Sequence, residues 1–109
     1  LTAAGNAAAV NYSQESLDRQ FRVEFQDEAG APRPVVSGYV YNLKDGLAAD
    51  RVQLVVESLD AAGNVLGRST IWVLGGVPAG GRAYFSARVE PAASYRAQVV
   101  AYDWIRSGG

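Results

Sequence analysis

The stretch Arg51-Val52-Gln53-Leu54-Val55-Val56-Glu57-Ser58-Leu59-Asp60-Ala61-Ala62-Gly63-Asn64-Val65 decides the fold. Val52, Leu54 and Val56 recur at every second position, the period of a strand with one buried face. The five residues from Asp60 to Asn64 then read as a hairpin loop built round a type I turn. From Val65 to about Leu74 the chain returns as a second strand, carrying Ile71, Trp72 and Val73. Two antiparallel strands are the minimum unit of a sheet, and the rest of the chain repeats their grammar.

Working toward the C-terminus, Gly75-Gly-Val-Pro78-Ala-Gly80-Gly81 is a glycine-rich crossover, which favours a chain passing between two sheets. Residues 82–89 form a strand with Ala83, Phe85, Ala87 and Val89 on one side. A break at residues 90–94 precedes a last strand over residues 95–105. Its face is ambiguous, because Ala97, Val99 and Ala101 oppose Val100, Tyr102 and Trp104, and both sets are apolar. Working toward the N-terminus, a polar loop over residues 44–50 follows a strand over residues 35–42. Gly38 inside that strand signals a bulge or a close backbone approach. Residues 27–34 are a loop, broken by Gly30, Pro32 and Pro34. Residues 17–26 alternate, with Leu17, Phe21, Val23 and Phe25 against Arg22, Glu24 and Gln26, as a half-buried strand does. Asn11, with Gln14 three residues on, has the spacing to cap a single helical turn.

The chain is 109 residues long, 49% hydrophobic and 19% charged, so it is one folded domain and not a disordered tail. The expected organisation is a flexible leader at residues 1–16 and a β-sandwich at residues 17–106, with a frayed end at residues 107–109. Strands this short, with turns every 8–12 residues, predict an all-β fold, a β-sandwich of about seven antiparallel strands. A closed barrel is the rival architecture.

His and Cys are both absent. Their absence excludes Ser–His and Cys–His nucleophiles, imidazole or thiolate metal sites and disulfides. Ten Lys+Arg against eleven Asp+Glu leave a net charge of −1, which argues against a nucleic-acid partner. No run approaches the length of a membrane span. No cofactor and no metal site is expected.

Three segments follow a recurring order: Gly38-Tyr-Val40-Tyr-Asn42; Val52-x-Leu54-x-Val56-x-x-Leu59-Asp60-x-x-Gly63; and Val77-Pro78-x-Gly80-x-x-x-x-Phe85. In this order the chain resembles the FxLYD-type domains and related immunoglobulin-like sandwiches of exported bacterial proteins, over roughly residues 35–104. Val56-Glu-Ser-Leu59-Asp60 stands where the family has Phe-x-Leu-Tyr-Asp. The resemblance implies a non-enzymatic module in a periplasmic, secreted or envelope-associated protein, with no catalytic residues to carry over.

Carboxylates are the acid/base machinery that remains. Asp27, Glu28, Asp45, Asp50 and Asp60 all fall at expected turns, where Asp serves as a turn former; as a converging pair they would suit a hydrolase. Asp60, Gly63 and Asn64 faintly resemble a calcium loop but lack its further carboxylates and terminal Glu. The aromatic residues carry the functional potential. With Val36, Gly38 and Val40 facing the core, Tyr39 and Tyr41 project outward, and Phe85 in the core turns Tyr84 out. Tyr39, Tyr41, Tyr84 and Trp104 are therefore the candidate ligand-binding residues, for a protein partner or a sugar face. The packing alternative has the tyrosines bracing a wet sheet face across strands, with Trp72 or Trp104 in the core. A partner strand could also add to a free sheet edge, which outward Arg51, Arg68, Arg82, Arg88 and Arg96 would blunt.

Overall fold

The computed structural model describes residues 13–28, 31–44 and 46–104, with Trp104 described through its backbone alone. The elements run α1 (Gln14–Gln20), β1 (Phe21–Gln26), β2 (Val35–Asn42), β3 (Ala49–Leu59), β4 (Val65–Val73), β5 (Arg82–Arg88) and β6 (Ser94–Trp104). Two antiparallel three-stranded sheets result, in the orders β1-β2-β5 and β4-β3-β6. The chain is mostly strand, with six strands among the described residues against the seven or so expected.

The β3–β4 hairpin forms as its sequence dictates. Its register runs from Val52 opposite Val73 to Leu59 opposite Val65. In the loop the Asp60 carboxylate accepts the backbone N–H groups of Ala62 (2.9 Å) and Asn64 (2.8 Å) and the Asn64 side-chain amide (3.1 Å). These donors, the Asn64 backbone first, hold the Asp60 carboxyl below its ordinary 3.8. Gly63 supplies the φ of +89° that closes the turn, a conformation that costs glycine little.

Both sheets turn their apolar alternation onto one core. Val36 and Val40 of β2 and Phe85 and Ala87 of β5 meet Val52, Leu54 and Val56 of β3 and Val99 of β6, all buried. Burying Leu54 alone stabilises the fold by about 2–3 kcal/mol. The glycine-rich crossover carries the chain from β4 in one sheet to β5 in the other, as expected. On the way Val77 exchanges two backbone hydrogen bonds with Ala49, at 2.8 and 2.9 Å. Asn42, at the end of β2, is buried; its amide donates to the Leu47 carbonyl at 2.8 Å and its oxygen accepts the Lys44 N–H at 3.0 Å. A buried amide satisfied in this way fixes the passage from β2 to β3. At Gly38 the close approach is real: a Cβ there would stand 1.9 Å from the Glu24 carbonyl oxygen of β1.

Three expectations are corrected. The alternation over residues 17–26 is a strand only from Phe21. Leu17–Gln20 belong to α1, whose N-cap is Ser13, with its side chain accepting the Ser16 N–H at 3.1 Å. Leu17 and Phe21 are four apart, a spacing that fits a helix as well as a strand, and both are buried. The expected cap, Asn11, lies outside the described residues, as do the rest of residues 1–12, Asp45 and residues 105–109. In β6 neither alternation holds throughout. Ala101 pairs with Gln53 and Val99 with Leu54, so Val100 is an extra residue that switches the inward face. Val99 and Tyr102 are consequently both buried, and Tyr102 packs edge-on against Phe21 at 4.7 Å between ring centroids. Trp72 is not in the core: it projects from the outer side of β4 and is 57% exposed.

Candidate functional site

The outer face of the β1-β2-β5 sheet is a lattice set by strand register. Arg22, Tyr41 and Arg82 lie across from one another in one row, and Glu24, Tyr39 and Tyr84 in the next. Gln26, Ser37 and Ser86 form a third row, followed by Val35 opposite Arg88. Every side chain in these rows points away from Val36, Val40 and Phe85, because successive residues of a strand alternate faces.

Tyr39 is the hub of the lattice. Its ring meets that of Tyr84 at 5.7 Å and 72°, and that of Tyr41 at 6.4 Å and 54°. The Arg82 guanidinium lies 4.1 Å from the centroid of Tyr39, and that of Arg22 lies 4.5 Å from the centroid of Tyr41. Arg82 also donates a long hydrogen bond, 3.4 Å, to the Tyr41 hydroxyl, which pushes its pKa up. Stacking of a guanidinium on an aromatic face orients the cation without neutralising it. Arg22 has Glu24 as a partner at 3.3 Å. Among the described residues no carboxylate pairs with Arg82. Tyr84 is 60% exposed, while Tyr39 and Tyr41 are half-buried.

Beside the tall Tyr39–Tyr84 row, the short Ser37 side chain leaves a shallow depression. It has a volume of about 350 Å³ and is lined by Glu24, Phe25, Gln26, Ser37, Gly38, Tyr39 and Tyr84. The structure thus brings together three of the four candidate residues. Trp104 is apart from them, at the end of β6 in the other sheet and opposite Ala49, and its side chain lies outside the described residues. The two arginines of the cluster were not singled out from the sequence as ring partners. Their outward parity on 22 and 82 was legible, but not that register would set them beside tyrosines of β2.

Asp45 lies outside the described residues, and the other carboxylates singled out from the sequence are not brought together with one another. Asp60 is occupied in its own turn, Asp50 lies exposed in β3 opposite Asp103 of β6, and Asp27 and Glu28 follow β1. Among the described residues no three acidic side chains gather as a metal site would require. No described helix is long and apolar enough to cross a membrane.

On the outer face of the second sheet, register places Arg68, Glu57 and Arg96 in one row across β4, β3 and β6. Arg68 Nε donates to Glu57 Oε2 at 2.9 Å, and Arg96 donates to Oε1 through Nε at 2.8 Å and also through Nη2. The hydrogen bonds from Arg96 hold the Glu57 carboxyl below its ordinary 4.5, against the opposing effect of burial. This clamp ties three strands together and leaves its carboxylate no free capacity for a ligand.

No family model matches the chain, and no curated protein does. A solved structure, the X-ray structure of Northeast Structural Genomics Consortium target SoR45, is similar, with a TM-score of 0.51 and 15% sequence identity. The match covers 85% of this chain and 91% of that one, and at that identity what the two share is the fold.

Proposed function

We propose that this chain is a non-catalytic interaction module of an extracytoplasmic bacterial protein, built as an immunoglobulin-like sandwich. Its working surface is the outer face of β1-β2-β5. The observation that carries the reading is the Tyr39–Tyr41–Tyr84 cluster with Arg22 and Arg82 stacked on it. Tyr and Arg dominate the energetics of protein interfaces, and side chains already held in place lose little entropy on binding.

The immunoglobulin-like assignment is supported by strand order and by one tyrosine. Orders β1-β2-β5 and β4-β3-β6 correspond to the A-B-E and C′-C-F strands of that architecture. Tyr95, near the start of β6, donates its hydroxyl to the Glu90 carbonyl at 2.8 Å, the arrangement of a tyrosine corner. The likeness to FxLYD-type domains rests on the order of residues in the sequence; in this fold Asn42 fixes a crossover, Asp60 and Gly63 build the hairpin, and Phe85 fills the core. That likeness is also the ground for an extracytoplasmic location, which fractionation of the source cells with an antibody to the domain tests.

Selection of displayed peptides on the domain, counter-selected on a Y84A/R82A double variant, tests the surface. Binders that need Tyr84 and Arg82 are expected; binders indifferent to both would remove this face as the working surface.

A second reading, a carbohydrate-binding module, draws on the depression beside Tyr84, where Glu24, Gln26 and Ser37 could meet sugar hydroxyls. Rings inclined at 54° and 72° do not make the coplanar platform that a row of stacked sugars needs, so the protein partner is favoured.

A further inference from the structure

The charge on the tyrosine face differs from that of the molecule. The chain carries a net −1, yet within the three strands the outer face holds Arg22, Arg82 and Arg88 against the single carboxylate of Glu24. Glu24 is engaged with Arg22. Among the described residues neither Arg82 nor Arg88 has a carboxylate at ion-pair distance, and Glu24 acts on Arg82 only through a weaker Coulombic attraction.

Both lie on β5, six residues apart and on the same side of the sheet, so they are separated by about 20 Å along the strand. Between them sit the exposed Tyr84 ring and Ser86. On the opposite sheet the equivalent cations, Arg68 and Arg96, share the single carboxylate of Glu57, which binds both guanidinium groups and leaves that row one net positive charge. A positive, aromatic strip of this length has the complement of an extended acidic segment. Carboxylates would pair with the two guanidinium groups, and an aromatic or apolar side chain would lie on Tyr84.

Resting on the reading of this face as the binding surface, we infer that the partner is an acidic, extended protein segment lying along β5, with its carboxylates on Arg82 and Arg88. The full chain, labelled with nitrogen-15, is titrated with three nine-residue peptides and followed by amide chemical shifts. Each peptide has a central tyrosine, flanked on both sides by four glutamates, four glutamines or four lysines. Nine extended residues reach about 30 Å, enough to span both arginines.

The glutamate peptide is expected to shift the amides of β2 and β5. Its affinity should fall about fivefold or more between 50 and 200 mM salt, as screening of exposed charges requires. R82Q and R88Q are each expected to weaken it about threefold or more. Arg88 takes no part in the ring stacking, so R88Q tests the charge without disturbing the tyrosines.

Equal binding of the glutamine peptide, or no binding of the glutamate peptide, overturns the acidic partner while leaving the display result to judge the face itself. Shifts confined to the surface round Arg51 and Arg68 would overturn the assignment to β5. A sulfated hexasaccharide that binds at the same amides more tightly than the glutamate peptide would replace a protein segment by a polyanionic sugar and overturn the inference too.

Discussion

The two outer faces of this molecule use the same materials for different ends. Each carries a row of three side chains across three strands with arginine at both ends. In Arg68–Glu57–Arg96 the central residue is a carboxylate that both cations share, with one positive charge left over. In Arg22–Tyr41–Arg82 the centre is a phenol ring, which steadies both guanidinium groups without adding a countercharge. Glu24 pairs with Arg22, and Arg82 has no carboxylate at ion-pair distance among the described residues. An arginine paired with a buried carboxylate braces a sheet, whereas one stacked on tyrosine remains able to take a new anion. The difference between a structural and a functional row lies in the middle residue.

The largest expected effect comes from breaking the tyrosine face without touching any of its side chains. Gly38→Val puts bulk where a Cβ alone would collide with the Glu24 carbonyl, so β1 must separate from β2. A loss of about 3 kcal/mol or more is expected in denaturant unfolding. In any folded fraction the ring-current shifts of Tyr39 and Tyr41 should change while the Glu57 environment does not. A fully stable G38V domain would show that the close approach is not required.

Glu57→Gln comes next, with about 1–2 kcal/mol lost, because the arginine partners are half-exposed and their bonds are screened. Peptide binding at the tyrosine face should be unaltered. If E57Q weakens that binding as strongly as R82Q does, the two faces are not separate in function.

The acid limb sharpens the same comparison. Glu57 and Asp60 both have folded pKa values below their ordinary 4.5 and 3.8. Their stabilisation is complete above those values and is lost as pH falls through the folded ones, since the unfolded chain then binds protons more readily. Stability should decline below about pH 4.5, and E57Q should flatten the upper part of that decline. An unchanged acid limb in E57Q would mean that the clamp contributes nothing measurable.

Tyr84→Ala is expected to have the smallest effect on stability, about 0.5 kcal/mol, since the ring is largely exposed and loses one edge-on contact. Its effect on peptide affinity should exceed that of E57Q. The reverse order would make Tyr84 a brace, and the packing alternative for the tyrosines would stand.

Much of this was legible in the sequence. Alternation in residues 35–42, 51–59 and 82–89 located three strands and their buried faces, because a period of two has a single geometric meaning once the core side is apolar. Asp60, Gly63 and Asn64 named their own turn by local bonding. Gly38 announced a close approach; the outward parity of Tyr39 and Tyr41 followed from Val36, Gly38 and Val40 facing the core, and that of Tyr84 from Phe85. Where two periods coincide, the sequence was silent: Leu17 and Phe21 satisfy helix and strand alike, and Ser13 settled the matter by capping α1. In β6 a strand apolar on both sides concealed the extra residue at Val100, which exists only relative to β3.

Local chain chemistry therefore determined most of the strands, where they turn and which side of β2, β3 and β5 is dry. Only the tertiary structure decided what stands beside what. Cross-strand neighbours such as Arg82 with Tyr41, or Glu57 with Arg96, are far apart in sequence. They are joined by register and sheet order, and those are set by how the whole core packs.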